Sequence, residues 1–365
     1  MDVKRKKILF LLPSMRGGGS ERVISIILNH LDRTQFEPTL VLLQKEGIYL
    51  EDLPKELNII DLKVVKARYG FVKIVKVINK IKPDIVMSTL GHINILVSFL
   101  KPLLPKATKY IARESSIVTM NNKNSKYPKI LDYLYKKVFN NFDTIIAQSQ
   151  FMKNDLVNNY LVEETKIKVI YNPLDIQKIE NLSLEKSSFF DSSLCNILIV
   201  GRLSTEKNHK EILHILKMLN EKFHLTILGD GALKKELFEL VKKLEIEDKV
   251  SFLDFERNPY KYMKQADVVV STSLYEGFPN VLIEAIACST PVIAYNSPGG
   301  TGEIIEKGLN GYLIPFGDHL KFCQTLEQLY ASPLNKKEIQ TSAERYEVKH
   351  IIKQYQNAFL STLKK

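Results

Sequence analysis

Short, unbroken apolar runs alternate with longer helical patterns along this chain, and that alternation constrains its fold more than any other feature. Such runs fall at residues 7–12, 39–43, 85–88, 109–112, 144–147 and 168–170, and again at 197–201, 224–229, 250–253, 268–271 and 292–295. A strand that is apolar on both sides must be covered on both faces. Strands of this kind separated by helices imply a parallel sheet between two helical layers. The alternation breaks at Asn172-Pro173-Leu174-Asp175 and at a polar, serine-rich stretch over 181–193, then restarts. The expected organisation is a first Rossmann-like domain over 1–173, a second over 174–346 and a final helix over 347–365. On that helix Val348, Ile351, Ile352, Tyr355, Phe359 and Leu363 share one face. In open sheets of this class ligands bind beyond the carboxyl ends of the strands.

Charge narrows the partner. The chain of 365 residues carries a formal net charge of +11, which favours nucleic acid, a membrane surface or phosphorylated ligands. Residues 101–140 hold nine Lys or Arg and two acids, with Tyr127, Tyr133 and Tyr135 interleaved. This basic stretch suits peripheral contact with anionic lipid, and equally a solvated face. No nucleic-acid module accompanies it, so no nucleic-acid partner is expected. Cys195, Cys288 and Cys323 have neither metal-ligand spacing nor an even count, which fits a reducing cytoplasm. Lys4-Arg5-Lys6-Lys7 before 8–12 imitates a signal peptide but runs into Pro13 and Arg16-Gly17-Gly18-Gly19, and reads as a first strand. No apolar run reaches the length of a membrane span; 93–104 comes nearest and is interrupted by Asn94, Lys101 and Pro102.

The candidate chemistry gathers at strand ends. Glu276-Gly277-Phe278-Pro279-Asn280 leads into an apolar helix that Pro279 suits as first residue, and Glu284 falls on its second turn. A helix start favours a phosphate, and a carboxylate on each side suits the hydroxyls of two sugars, a pattern that describes a nucleotide sugar. Glu284 also interrupts an apolar run, where a charge needs a partner. Arg202 and Lys207 follow the strand over 197–201, placed to hold a diphosphate. Gly229 and Gly231 end the next strand and leave room for a base. Gly17, Gly18 and Gly19 end the first strand; with Arg22 where a third fingerprint glycine would stand, they read as a loop for a phosphate or sugar. Ser20 is expected to cap the following helix. His92 lies just after a strand end, whereas His209 and His214 are assigned to a solvated or packed helix face. The chain has no Asp-x-Asp, no P-loop and no His-Glu-x-x-His, so no metal is expected and neutralisation falls to the cations and the helix start.

With Gly201-Arg202-Leu203 and Lys207, Gly229-Asp230-Gly231, the Glu276 and Glu284 pair, Thr290-Pro291-Val292-Ile293-Ala294 and Asn310-Gly311-Tyr312-Leu313, the chain resembles the retaining glycosyltransferases of family 4, of the GT-B fold. Met15-Arg16-Gly17-Gly18-Gly19-Ser20-Glu21-Arg22-Val23 is similar to the opening of members that build bacterial capsule, O-antigen or lipid-linked oligosaccharides. The resemblance implies that Arg202 and Lys207 neutralise the leaving diphosphate and that Glu284 holds the ribose. Glu276, with the backbone near Phe278, Pro279 and Asn280, would hold the donor sugar, with Gly17 to Gly19 approaching from the acceptor-binding domain. It also implies a UDP-sugar donor, a glycan or polyprenyl-linked acceptor, no cofactor, and a final helix that crosses back to the first domain. Two positions depart from the family pattern. Ala112-Arg113-Glu114-Ser115-Ser116 stands where many members carry a His, leaving His92, Arg113 and Glu114 as acceptor-side candidates, and Cys288-Ser289 replaces small residues before the Thr-Pro-Val segment. A non-catalytic GT-B partner subunit and a nucleotide-sugar epimerase are the competing readings.

Overall fold

The computed structural model describes residues 4–65, 69–185 and 189–364. Residues 186–188, inside the serine-rich stretch, lie outside it. The chain divides into two compact units, one of residues 1–173 with 348–365 and one of residues 174–347.

Unit 1 holds seven strands: β1 (Lys6–Leu12), β2 (Phe36–Leu42), β3 (Asn58–Asp61), β4 (Ile85–Thr89), β5 (Lys109–Arg113), β6 (Thr144–Ala147) and β7 (Ile167–Val169). They form one parallel sheet in the order β3-β2-β1-β4-β5-β6-β7. Every residue of β1 from Ile8 to Leu12 is buried, which is the two-sided cover that the apolar runs require. The Val348–Leu363 helix completes this core: Val348, Ile351, Ile352, Tyr355 and Phe359 join the cluster built on Ile8, Phe10 and Phe36. The Phe359 ring meets Phe10 and Phe36 edge-on at 6.3 and 5.9 Å, and burying such a ring contributes roughly 1.5–3 kcal/mol.

Unit 2 holds β8 (Cys195–Val200), β9 (Phe223–Leu228), β10 (Val250–Leu253), β11 (Val268–Ser271), β12 (Val292–Tyr295) and β13 (Gly311–Ile314). Its sheet is also parallel, in the order β10-β9-β8-β11-β12-β13. The two sheets are doubly wound, each with its own core, and with the C-terminal helix they make the GT-B architecture.

Three local expectations are corrected. Ser20 does not cap its helix: Gly18 is the capping residue of Gly19–His30 and no side chain caps it. The Ser20 hydroxyl instead accepts from Arg113 Nη1 at 3.2 Å and lies 3.3 Å from Thr89 Oγ1. Pro279 is the residue before the Asn280–Ala287 helix and not its first, a shift of one position that keeps it where a missing N–H costs nothing. Two strands, β3 and β13, were not expected from the apolar runs. Both lie at a sheet edge and are short, four-residue strands with half-buried positions.

Candidate active site

In a doubly wound sheet the crevice opens where two adjacent strands send their connections to opposite faces. In unit 2 that point lies between β8 and β11. The segment after β8 carries Arg202 and Lys207, and the segment after β11 carries Ser273 and Glu276, so the switch point brings together residues separated by some seventy positions of sequence.

Lys207 Nζ donates to Glu276 Oε1, and Ser273 Oγ donates to the same oxygen at 2.8 Å. The loop carrying Glu276 is held from behind. Its N–H donates to the Pro298 carbonyl at 3.0 Å, and its own carbonyl accepts from Gly300 N at 3.1 Å. Gly300 is required there, because a Cβ would meet Phe278 Cδ2 at 2.7 Å and the Gly277 carbonyl at 2.9 Å. Neither charge is fully buried, Lys207 at 25% and Glu276 at 14% side-chain exposure, so a ligand can still reach both. An ammonium has three donors and only one is used on Glu276. Glu276 Oε2 has no partner among the described residues. Arg202 is exposed, and its guanidinium makes no ion pair or hydrogen bond among the described residues. The site therefore holds a fixed carboxylate with one free oxygen, a half-engaged ammonium and a free guanidinium.

The remaining expected residues of unit 2 surround this cluster in different ways. Phe278 is buried, its ring edge-on to Tyr346 at 5.6 Å, so only its backbone can face a ligand. Asn280 opens the short helix and is half-buried, and Glu284 is 4% exposed on that helix. The room left at Gly229 and Gly231 is filled by protein backbone. A Cβ on Gly229, whose φ is +149°, would meet the Gly201 carbonyl at 2.0 Å, and one on Gly231 would meet the Leu203 carbonyl at 2.4 Å. Leu203 N donates to the Asp230 carbonyl at 2.9 Å. These glycines thus lock the β8 and β9 loops together and set the position of Arg202. Ser273 and the buried His209 were not among the expected site residues.

In unit 1 the switch point lies between β1 and β4. Gly17 and Gly18 follow β1, and nothing but Ile48 Cδ1, at 3.9 Å, approaches a Cβ built on Gly17. Gly19 is the first residue of its helix. His92 is exposed on the first turn of the Gly91–Leu100 helix after β4. Arg113 and Glu114, at the end of β5, are fully buried. Arg113 donates to Tyr355 Oη at 3.0 Å, Ser20 Oγ at 3.2 Å and Asn172 Oδ1 at 2.7 Å. Glu114 Oε2 accepts from Asn94 at 3.3 Å and Tyr135 at 3.4 Å. Burial outweighs these bonds and pushes the Glu114 carboxyl up to about 7. Among the described residues no group of His, Cys, Asp and Glu is arranged to hold a metal ion.

The family described as Glycosyltransferase Family 4 matches residues 17–178, and that described as Glycosyl transferases group 1 matches residues 184–347. A Campylobacter jejuni N-acetylgalactosamine-N,N'-diacetylbacillosaminyl-diphospho-undecaprenol 4-alpha-N-acetylgalactosaminyltransferase is 30% identical over 339 residues, covering 89% of this chain and 90% of that protein. The chain belongs to the family 4 glycosyltransferases. The amylovoran biosynthesis glycosyltransferase AmsD of Erwinia amylovora is 26% identical over 92% of this chain and 93% of its own length. Among solved structures, Anabaena HepE in complex with UDP and glucose superposes with a TM-score of 0.84 at 20% identity, covering 98% of this chain and all of that one. At that identity the likeness shows the fold. This family 4 member is a retaining glycosyltransferase that moves a sugar from a nucleoside diphosphate sugar to an acceptor, which removes the partner-subunit and epimerase readings.

Proposed function

We propose that unit 2 binds a UDP-sugar and that unit 1 binds a glycan carried on a polyprenyl lipid, in the assembly of a bacterial surface polysaccharide. The observation that carries this reading is the carboxylate of Glu276, anchored through Oε1 with Oε2 free, beside Lys207 and the unpaired Arg202. Arg202 and the two spare donors of Lys207 take the diphosphate, and Glu276 Oε2 accepts from a hydroxyl of the donor sugar. The helix start at Asn280 adds its partial positive charge, Glu284 holds the ribose, Gly17 leaves its backbone open to ligand, and Gly18 and Gly19 continue that loop into the helix. The C1–O bond to the diphosphate breaks as the acceptor oxygen bonds C1 on the same face, and the acceptor's proton passes to the departing phosphate oxygen. Negative charge grows on the diphosphate during that step, so cations fixed beforehand stabilise the transition state more than the ground state. The names of the Campylobacter and Erwinia relatives, one acting on a diphospho-undecaprenol carrier and one in amylovoran synthesis, and the UDP in the HepE structure support the substrate classes.

A membrane-carried acceptor calls for a membrane-facing surface, and the Pro128–Val138 helix offers one. Ile130, Tyr133, Lys129, Lys136 and Lys137 are exposed along it, with Lys126 and Tyr127 just before it. Its one acid, Asp132, is turned inward to accept from Tyr160 at 2.7 Å and Asn122 at 2.9 Å. No helix among the described residues is long and apolar enough to cross a membrane; the exposed lysines and aromatic side chains of this helix are what support peripheral contact with the anionic inner membrane face. The test is UDP release and product mass from a panel of UDP-sugars supplied with polyprenyl-diphosphate glycans, together with sedimentation on phosphatidylglycerol and phosphatidylcholine vesicles. Transfer to the lipid-linked glycan and binding to the anionic vesicles alone are expected. Donor turnover only with free sugars, or equal binding to both vesicles, would overturn the acceptor and membrane parts.

A further inference from the structure

His209 is the first residue of the His209–Met218 helix, two positions after Lys207, and is 1% exposed. Both of its ring nitrogens are buried without a hydrogen-bond partner. Burial, with the neighbouring charge of Lys207, depresses its pKa to about 4, so at neutral pH the ring is uncharged and carries one N–H donor and one bare acceptor. Leaving such groups unsatisfied inside a protein is costly, and water is the usual remedy where space and polar neighbours allow.

Space and neighbours are both present. A cavity of about 10 Å3 lies against His209, lined also by Lys207, Ser271, Ser273, Val200 and Val281. That is close to the smallest volume that admits a single water. From the cavity's two serines a hydrogen-bond chain already runs to the active site: Ser271 Oγ donates to Ser273 Oγ at 3.2 Å, and Ser273 Oγ donates to Glu276 Oε1 at 2.8 Å. Ser271 is thus a donor whose own oxygen still accepts.

We propose that His209 is a positioning residue for transfer, holding one water that accepts from its ring N–H and donates to Ser271 Oγ. The chain then runs in one direction, from His209 through water, Ser271 and Ser273 to Glu276, and each donor in it strengthens the next. Its product is a single fixed rotamer of the Glu276 carboxylate, with Oε2 held toward the donor sugar. This rests on the donor-site reading given above.

Two experiments test it, and the first does not depend on activity. A crystal structure of the ligand-free protein, at a resolution that shows ordered water, should place a water within hydrogen-bond reach of one His209 nitrogen and Ser271 Oγ; an empty cavity, or a water out of reach of either, overturns the proposal. The second compares variants with the UDP-sugar that the wild type turns over. His209→Leu should lower kcat by roughly three- to tenfold, as expected for one lost hydrogen bond, with KM for the donor little changed and Tm unchanged or raised. At least one of His209→Gln and His209→Asn, which return an amide donor near Nε2 or Nδ1, should recover most of that loss. Full kcat in His209→Leu, or an equal loss in all three variants, overturns the positioning role. A wild type that turns over no nucleotide sugar would defeat the donor-site reading instead, leaving the water test to decide His209.

Discussion

Unit 1 and unit 2 each carry an arginine at the carboxyl end of a strand of a parallel sheet and treat it in opposite ways. Arg113, at the end of β5, is fully buried and spends its guanidinium on Tyr355, Ser20 and Asn172. Arg202, just past β8, is exposed with no side-chain partner among the described residues. The acids differ in the same sense: Glu114 is sealed in and held toward its neutral form, whereas Glu276 is charged against Lys207 and keeps one oxygen free. A polar group that is already satisfied holds a frame, and one that is left partly unsatisfied waits for a ligand.

Removing the waiting cation should produce the largest change. Arg202→Ala is expected to lower kcat by about 10²- to 10³-fold, the usual cost of one transition-state donor, while Tm stays that of the wild type; steady-state kinetics with thermal unfolding check both halves. If Arg202→Ala unfolds the protein instead, the contrast with Arg113 is lost.

The next test acts on stability and on unit 1. Because the folded state raises the Glu114 pKa from 4.5 to about 7, the folded protein binds more protons than the unfolded chain between those values, and stability falls as pH rises through that window. Glu114→Gln should abolish this fall, with an upper limit of about 3 kcal/mol in its favour at pH 8. Denaturant titrations at pH 5 and pH 8 measure it; an unchanged pH dependence would show that Glu114 is not the frame's titrating group. A smaller effect is expected from Ser273→Ala, which takes away one of the two donors on Glu276 Oε1. About 1 kcal/mol is at stake, so kcat should drop roughly fivefold with donor KM nearly constant.

Much of this was legible in the sequence because burial on both faces writes itself as unbroken apolar runs. Strands β6, β10, β11 and β12 fall on the residues those runs mark, and the seam near Pro173 is marked by a loss of pattern. The edge strand β3 is half-exposed and leaves a weaker trace. In the site, Arg202, Lys207 and Glu276 stood out as charges at strand ends, yet nothing in their spacing shows that Lys207 and Glu276 meet. That contact depends on β8 and β11 being neighbours, which is a property of strand order. The burial of His209 was hidden for the same reason, since the helix start that carries it is covered by residues from β11 and its loop. Ser20 misled as a cap because its hydroxyl is claimed by Arg113, more than ninety positions away.

The ends of unit 2 are fastened to each other. Leu174 N donates to the Tyr346 carbonyl at 2.7 Å, and Leu174 pairs with Glu347 in a short parallel bridge. Unit 2 is thus a closed cassette, entered and left by the chain at one doorway, with its own core and the whole Arg202, Lys207, Glu276 cluster inside. Boundaries at residues 174 and 347 cut no strand of either sheet. On the proposed reading, a chimera that takes residues 174–347 from a relative asks directly whether donor choice travels with this unit.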